Sequence, residues 1–313
     1  MAERSGFEPE NSYYTVTHLA GGRFRPLSHL SAGLIITSSV GLGADLVVFH
    51  HLNLDSKLFQ AYGSAVVVSL YGISTVTPVY AHPNPIAITA SATIILLGAA
   101  VAFEPTLELT SWKRLVAGVT AVMILGLTVE SLGIYTGYPF GHYHYTDVWA
   151  PTILLPPGWW FPVQLPFAWV MLAGSCYLAT SQLKPNWARP FAAACLAVAI
   201  DYAMEKVYSG LYGYWTWDQG SVPLMNYAGW FATAFAAALI LSALKVRLKD
   251  ITAPIVVLTL YMLLVLIQNM VWTNHQWDSG VVVCALLVTY LVANAWAKKR
   301  NRNCHSGGKP PGD

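Results

Sequence analysis

Between positions 32 and 297 the chain passes through about nine stretches of roughly 20 mainly apolar residues, divided by short polar connections. A stretch of that length spans the hydrocarbon of a bilayer as a helix, the form in which every backbone N–H and C=O is satisfied within the segment. The stretches lie near 32–50, 59–78, 85–103, 115–134, 161–181, 188–206, 227–244, 252–272 and 278–297. They predict an all-α, polytopic integral membrane bundle of about eight to nine transmembrane helices. Composition agrees, with 55% hydrophobic and 10% charged residues, against roughly 25% charged in a soluble domain. The net charge of +2, spread over short clusters, excludes a nucleic-acid partner.

Basic residues order the topology, because Lys and Arg collect in cytoplasmic loops. Alternate connections carry Lys57, then Lys113 and Arg114, then Lys184 and Arg189, then Lys245, Arg247 and Lys249, then the C-terminal cluster. The opposite connections hold Lys206 alone. This asymmetry predicts a multi-pass protein of the cell membrane with an outer N-terminus and a cytoplasmic C-terminus. Arg4, Arg23 and Arg25 break the rule, and residues 1–30 contain no apolar run, so they read as a disordered tail or a mis-assigned start. Residues 31–297 form one transmembrane domain, and 298–313 a basic cytoplasmic tail. Cys176, Cys195 and Cys284 fall within spans and Cys304 in the tail, without C-x-x-C spacing, and read as inert packing residues.

Carboxylates inside spans are costly and mark candidate functional sites. They are Asp45, Glu130, Asp201 and, near a helix end, Glu205; Asp45 has no surrounding motif. Asp201 and Glu205 stand four residues apart on one helix face, where two like charges oppose joint ionisation. Helices ending in Glu130 and Glu205 each lead into an outer loop rich in Gly, Pro and aromatic residues. The first loop carries Phe140, Tyr143 and Tyr145, the second Tyr212, Tyr214, Trp215 and Trp217, with Trp169 and Trp230 on the helices that follow. Some of these rings belong to the interfacial belt of any membrane protein. The remainder would suit a cationic intermediate, since an aromatic face stabilises a desolvated cation by about 2 kcal/mol or more.

Other chemistries fit less well. His142 and His144 alternate near Asp147, a weak ligand set, and the other histidines are scattered apart from the adjacent His50 and His51. No metal or other cofactor is therefore expected. Every Lys lies near a helix end or in a tail, so none serves a retinal Schiff base, and the run from Asp201 to Glu205 lacks the second acidic motif of a membrane prenyl transferase.

The run from Glu130 through TGYPFGHYHY to PFAW, followed by Asp201, GYWTW, Pro223, Asn226 and the GW at 229–230, resembles the membrane-embedded carotenoid hydratases. That family includes γ-carotene 1',2'-hydratase and bisanhydrobacterioruberin hydratase. The resemblance covers about residues 129–230; the stretch LLPPGWW at 154–160 departs from it, which bears on substrate choice. It implies a hydro-lyase of carotenoid biosynthesis that adds water across the terminal 1,2 double bond of an acyclic isoprenoid end group, of bacterioruberin or γ-carotene type. The alkene is protonated to a tertiary carbocation, which water captures. The resemblance further implies Glu130 and Asp201 as acid and base in either order, with Glu205 beside them and His142 or Asp218 passing protons. Phe140, Tyr143, Tyr145, Trp169, Tyr214, Trp215, Trp217, Asn226 and Trp230 would bind the substrate. Partners would be the carotenoid, water, the lipid bilayer and other enzymes of the pathway. The competing readings are a carotenoid cyclase, which starts with the same protonation, and a proton-coupled transporter.

Overall fold

The computed structural model describes residues 56–74, 85–272 and 277–289. The expected span at 32–50 with Asp45, the tails with Cys304, and the end of the last expected span lie outside the described residues. Helices stand at the other predicted positions: α1 Ser56–Ser74, α2 Pro85–Phe103, α3 Trp112–Thr136, α4 Leu165–Ala179, α5 Ala188–Tyr208, α6 Leu224–Ala243, α7 Thr252–Trp272 and α8 Trp277–Thr289. Pro85, Pro166, Pro190 and Pro254 lie in first turns, where a missing N–H costs nothing. Within this set, Thr89–Glu108, Trp112–Thr136, Leu224–Ala243 and Thr252–Met270 are long and apolar enough to cross a membrane. The described residues thus provide four such helices, against the eight to nine expected. Helix α5 carries Arg189, Asp201, Glu205 and Lys206, while α4 and α8 are short.

The all-α expectation needs one correction. Strands β1 Tyr143–Tyr145, β2 Thr152–Leu155, β3 Trp159–Pro162 and β4 Trp215–Trp217 form an antiparallel sheet in the order β2-β3-β1-β4. Alternating Tyr-His-Tyr and Trp-Thr-Trp suit a pleated ribbon with one covered face. Pairing of Trp159–Pro162 with β2 also delays the helix expected from 161 until Leu165. The sheet sits where α3 and α5 finish and α4 and α6 begin. At the other end of the bundle, the connections 104–111, 180–187 and 244–251 gather Lys184, Lys245, Arg247 and Lys249, with Lys113, Arg114 and Arg189 in the adjoining first helical turns.

Small residues let the helices approach closely. Ala193, Ala194 and Ala197 of α5 and Ala234, Ala237 and Ala238 of α6 are fully buried, and α5 packs along α6. Tyr62 of α1 donates to the Val257 carbonyl of α7 over 3.1 Å. Large apolar side chains of α3, among them Val116, Ile124, Leu127 and Leu132, point outward, as on a lipid-facing surface. Of the cysteines, Cys176 is buried as expected, whereas Cys195 and Cys284 are exposed.

Helix α3 positions the future site through its glycines. Gly126, Glu130 and Gly133 share one buried face. A Cβ at Gly126 would stand 2.6 Å from Trp169 Cδ1, and one at Gly133 would stand 2.7 Å from the Tyr143 hydroxyl. Only glycine leaves room for those two rings, and they flank Glu130. Gly137, at φ 78°, closes the helix with an N–H bond to the Gly133 carbonyl. In α4 a π-helical segment, Val170–Gly174, begins immediately after Trp169.

Candidate active site

Glu130 is buried and accepts three hydrogen bonds: Tyr143 Oη at 2.5 Å and Tyr145 Oη at 2.9 Å on Oε2, and Trp169 Nε1 at 2.8 Å on Oε1. Burial, reinforced by the Glu130 charge, holds both phenols well above their ordinary pKa, so they remain protonated donors. A carboxylate offers about four lone-pair sites; the three bonds leave one.

The second carboxylate group lies on α5. Glu205 Oε2 accepts from Trp215 Nε1 at 3.3 Å and Trp217 Nε1 at 3.2 Å. The Asn226 amide donates to Asp201 Oδ2 at 2.7 Å and reaches Glu205 Oε1 at 3.5 Å, so one side chain of α6 ties the two acids together. Asp201 is fully buried and its Oδ1 has no hydrogen-bond partner.

The sheet delivers the donors of both groups. In the register of β1 and β4, Tyr143 faces Trp217 and Tyr145 faces Trp215. Because side chains alternate across a strand, one face of this ribbon supplies two hydroxyls to Glu130 and two indoles to Glu205. Tyr143 and Trp217 touch at a centroid distance of 5.2 Å, which joins the two nests into one wall. Phe140, Trp169 and Trp230 form a second wall, the last two 4.4 Å apart.

These groups surround one cavity, with Glu130 and Glu205 on its surface. The cavity volume is about 90 Å³, narrow beside the usual ligand-site range of ~300–1,000 Å³. Aromatic and aliphatic side chains dominate the lining. Among its polar atoms, Trp149 Nε1 is buried without a hydrogen-bond partner, while the Tyr212 and Gln268 side chains hydrogen-bond to each other. The unpartnered indole costs about 1–3 kcal/mol if left unsatisfied, so it is the point where water or a ligand's polar atom gains most.

Most residues singled out from the sequence meet here: Glu130, Phe140, Tyr143, Tyr145, Trp169, Glu205, Tyr214, Trp215, Trp217, Asn226 and Trp230 all line the cavity. Asp201 stands behind Asn226 and is not part of the surface. His142 and Asp218 lie outside the cavity and are exposed. Asp218 pairs instead with His144 at 3.2 Å, on the outer face of the ribbon, where His144 also meets Thr216 at 2.7 Å. Sequence reasoning overlooked Trp149, Tyr208, Tyr261 and Gln268, which complete the lining. Tyr261 and Gln268 are seven residues apart on one face of a mainly apolar helix, a spacing that would have revealed them.

The model of a family described as carotenoid biosynthesis protein matches residues 90–295. The chain belongs to the carotenoid biosynthesis protein family. The matched segment takes in both carboxylate nests, the sheet and nearly the whole cavity lining. Searches of curated proteins and of solved structures returned no match. A carotenoid biosynthesis protein built from membrane-length apolar helices is consistent with a carotenoid substrate drawn from a lipid bilayer.

Proposed function

We propose that this carotenoid biosynthesis protein hydrates the terminal isolated double bond of an acyclic carotenoid end group, of bacterioruberin or γ-carotene type. The observation that carries this reading is that Glu130 and Glu205 open on the same aromatic cavity. Protonated Glu130 gives its proton to the alkene from its one free lone-pair position. The negative charge left on Glu130 is received by Tyr143, Tyr145 and Trp169, donors already in place before the reaction. The tertiary carbocation lies against the rings of Tyr143, Tyr145, Trp215 and Trp217, where cation–π attraction is worth about 2 kcal/mol when desolvated. Water attacks the cation, and Glu205, tied through Asn226 to Asp201, accepts the surplus proton. The sum is one water added, with no change of oxidation state.

The same cation, captured by an internal alkene, would give a cyclase. The unpartnered Trp149 Nε1 and the polar side chains of Tyr212 and Gln268 in the cavity wall favour water as the second reactant. The reading includes a multi-pass location in the cell membrane with the C-terminus in the cytoplasm. Pigment analysis of cells making an acyclic carotenoid, with and without this protein, tests it. A product heavier by one water with nearly unchanged visible absorption is expected. Constant mass with a new ring would replace the hydratase by a cyclase, and solute counter-flow without conversion would replace it by a transporter.

A further inference from the structure

The end of the bundle opposite the sheet holds a second pocket, between the connections 180–187 and 244–251. Lys184, Arg189 and Arg247 line it together with Tyr177, Ser181 and Asn186, and no carboxylate is in its lining. Among the described residues, none of the three cations has a carboxylate within ion-pair distance. Three positive charges around one concavity repel one another unless an anion lies between them.

The pocket is also held in shape. Arg189 Nε donates to the Leu183 carbonyl at 2.9 Å, which fixes the guanidinium while leaving its terminal nitrogens for another acceptor. The backbone of Arg247 is clamped by Thr110, whose Oγ1 accepts from the Arg247 N–H at 2.9 Å and donates to its carbonyl at 3.1 Å. Lys184 is steadied by Asn186 Oδ1 at 3.3 Å, and the Tyr177 hydroxyl donates to the Val246 carbonyl at 3.1 Å. Ser181 Oγ, on the pocket wall, is buried without a hydrogen-bond partner. Leu183 and Trp187 are exposed on the same connection, the amphipathic mixture that rests at the level of lipid headgroups.

We propose that Lys184, Arg189 and Arg247 bind a phosphate group in this pocket, carried by an anionic phospholipid headgroup or by a soluble phosphate. Two or three cations match the oxygens of a phosphate, Arg in forked geometry and Lys as a point charge, and the Ser181 hydroxyl adds a neutral donor. A basic pocket between helices is the form that headgroup sites take in membrane proteins. The proposal is independent of the chemistry at Glu130.

The test uses the full-length protein. It is reconstituted into nanodiscs of phosphatidylcholine alone or of an equimolar mixture with phosphatidylglycerol, and the lipid retained after extraction is weighed by native mass spectrometry. In parallel, delipidated protein is melted in detergent with inorganic phosphate or with chloride at equal ionic strength. Retention of phosphatidylglycerol over phosphatidylcholine, falling roughly fivefold for each of Lys184→Gln, Arg189→Gln and Arg247→Gln, supports a headgroup. Stabilisation by inorganic phosphate without that lipid preference supports a soluble phosphate. Equal retention of both lipids, with no stabilisation by phosphate over chloride, overturns the proposal, as does binding unchanged in the three variants. Should a variant fail to insert, the two wild-type comparisons decide alone.

Discussion

The two carboxylate nests are built from the same ribbon yet are held differently. Glu130 receives three short bonds, 2.5 to 2.9 Å, from donors on two separate elements, β1 and α4. Glu205 receives two longer indole bonds, 3.2 and 3.3 Å, and shares one amide with Asp201. A group surrounded by donors is arranged to end a step as an anion. A pair of acids that shares one amide, with Asp201 Oδ1 unpartnered, is arranged to hold one extra proton between two sites. The proposed roles, acid at Glu130 and proton acceptor at the α5 pair, agree with that contrast.

Replacing Glu130 by Gln keeps its size and removes the titrating proton, and carries the largest expected effect: a loss of turnover of about 10²- to 10⁴-fold, at near wild-type accumulation in the membrane. Turnover above about a tenth of wild type would remove Glu130 from the role of acid. On the other side of the comparison, Glu205→Gln should fall in the lower part of the same range, while Asp201→Asn, one layer behind the surface, should lose less. If Asp201→Asn proves the more damaging, the acceptor is the deeper acid and the contrast must be redrawn.

The donors give a finer cut. A hydrogen bond to a charged group is worth roughly 1.5–3 kcal/mol, so Tyr143→Phe and Tyr145→Phe should each slow hydration about ten- to a hundredfold without changing the product. Equal losses from Trp217→Phe would mean that the two nests are tuned alike. Gly126→Ala, whose new methyl would meet Trp169 at 2.6 Å, should destabilise the protein by about 1–3 kcal/mol through overpacking, read as a lowered melting temperature in detergent. The smallest effect is expected on the outer face of the ribbon. His142→Ala and Asp218→Asn should leave turnover within about threefold, against the 10²-fold floor of direct acid–base catalysis; a larger loss would restore them as proton carriers.

Hydropathy located the helices because each is mainly apolar, though only four of the described ones are long and apolar enough to cross a membrane, and it located Glu130, Asp201 and Glu205 because a carboxylate in such a run is conspicuous. The sheet was not legible: strands of three or four residues are too short for a two-residue period to stand out from aromatic-rich loops. The loops after Glu130 and Glu205 meet through β1 and β4, which pair directly, but nothing local sets their register. The ranking of Asp201 and Glu205 depends on how α5 is rotated against α6, and Asn226 decides it from a distant part of the chain. Gln268 was legible as a polar residue in an apolar helix and was passed over for want of a charge.

The π-helical turn that follows Trp169 limits how this chain can change in length. A π turn holds one residue more than an α turn, and each residue of a regular helix turns the chain by about 100°. Deleting any one residue of Val170–Gly174 would give a more regular helix. Because the wide turn already absorbs that extra residue, the segments on either side keep their facing, and Trp169 keeps its place beside Glu130. Homologous chains can therefore lose one residue within this stretch and keep the site, whereas a one-residue gap in the regular helix beside it would turn Trp169 about 100° away from Glu130.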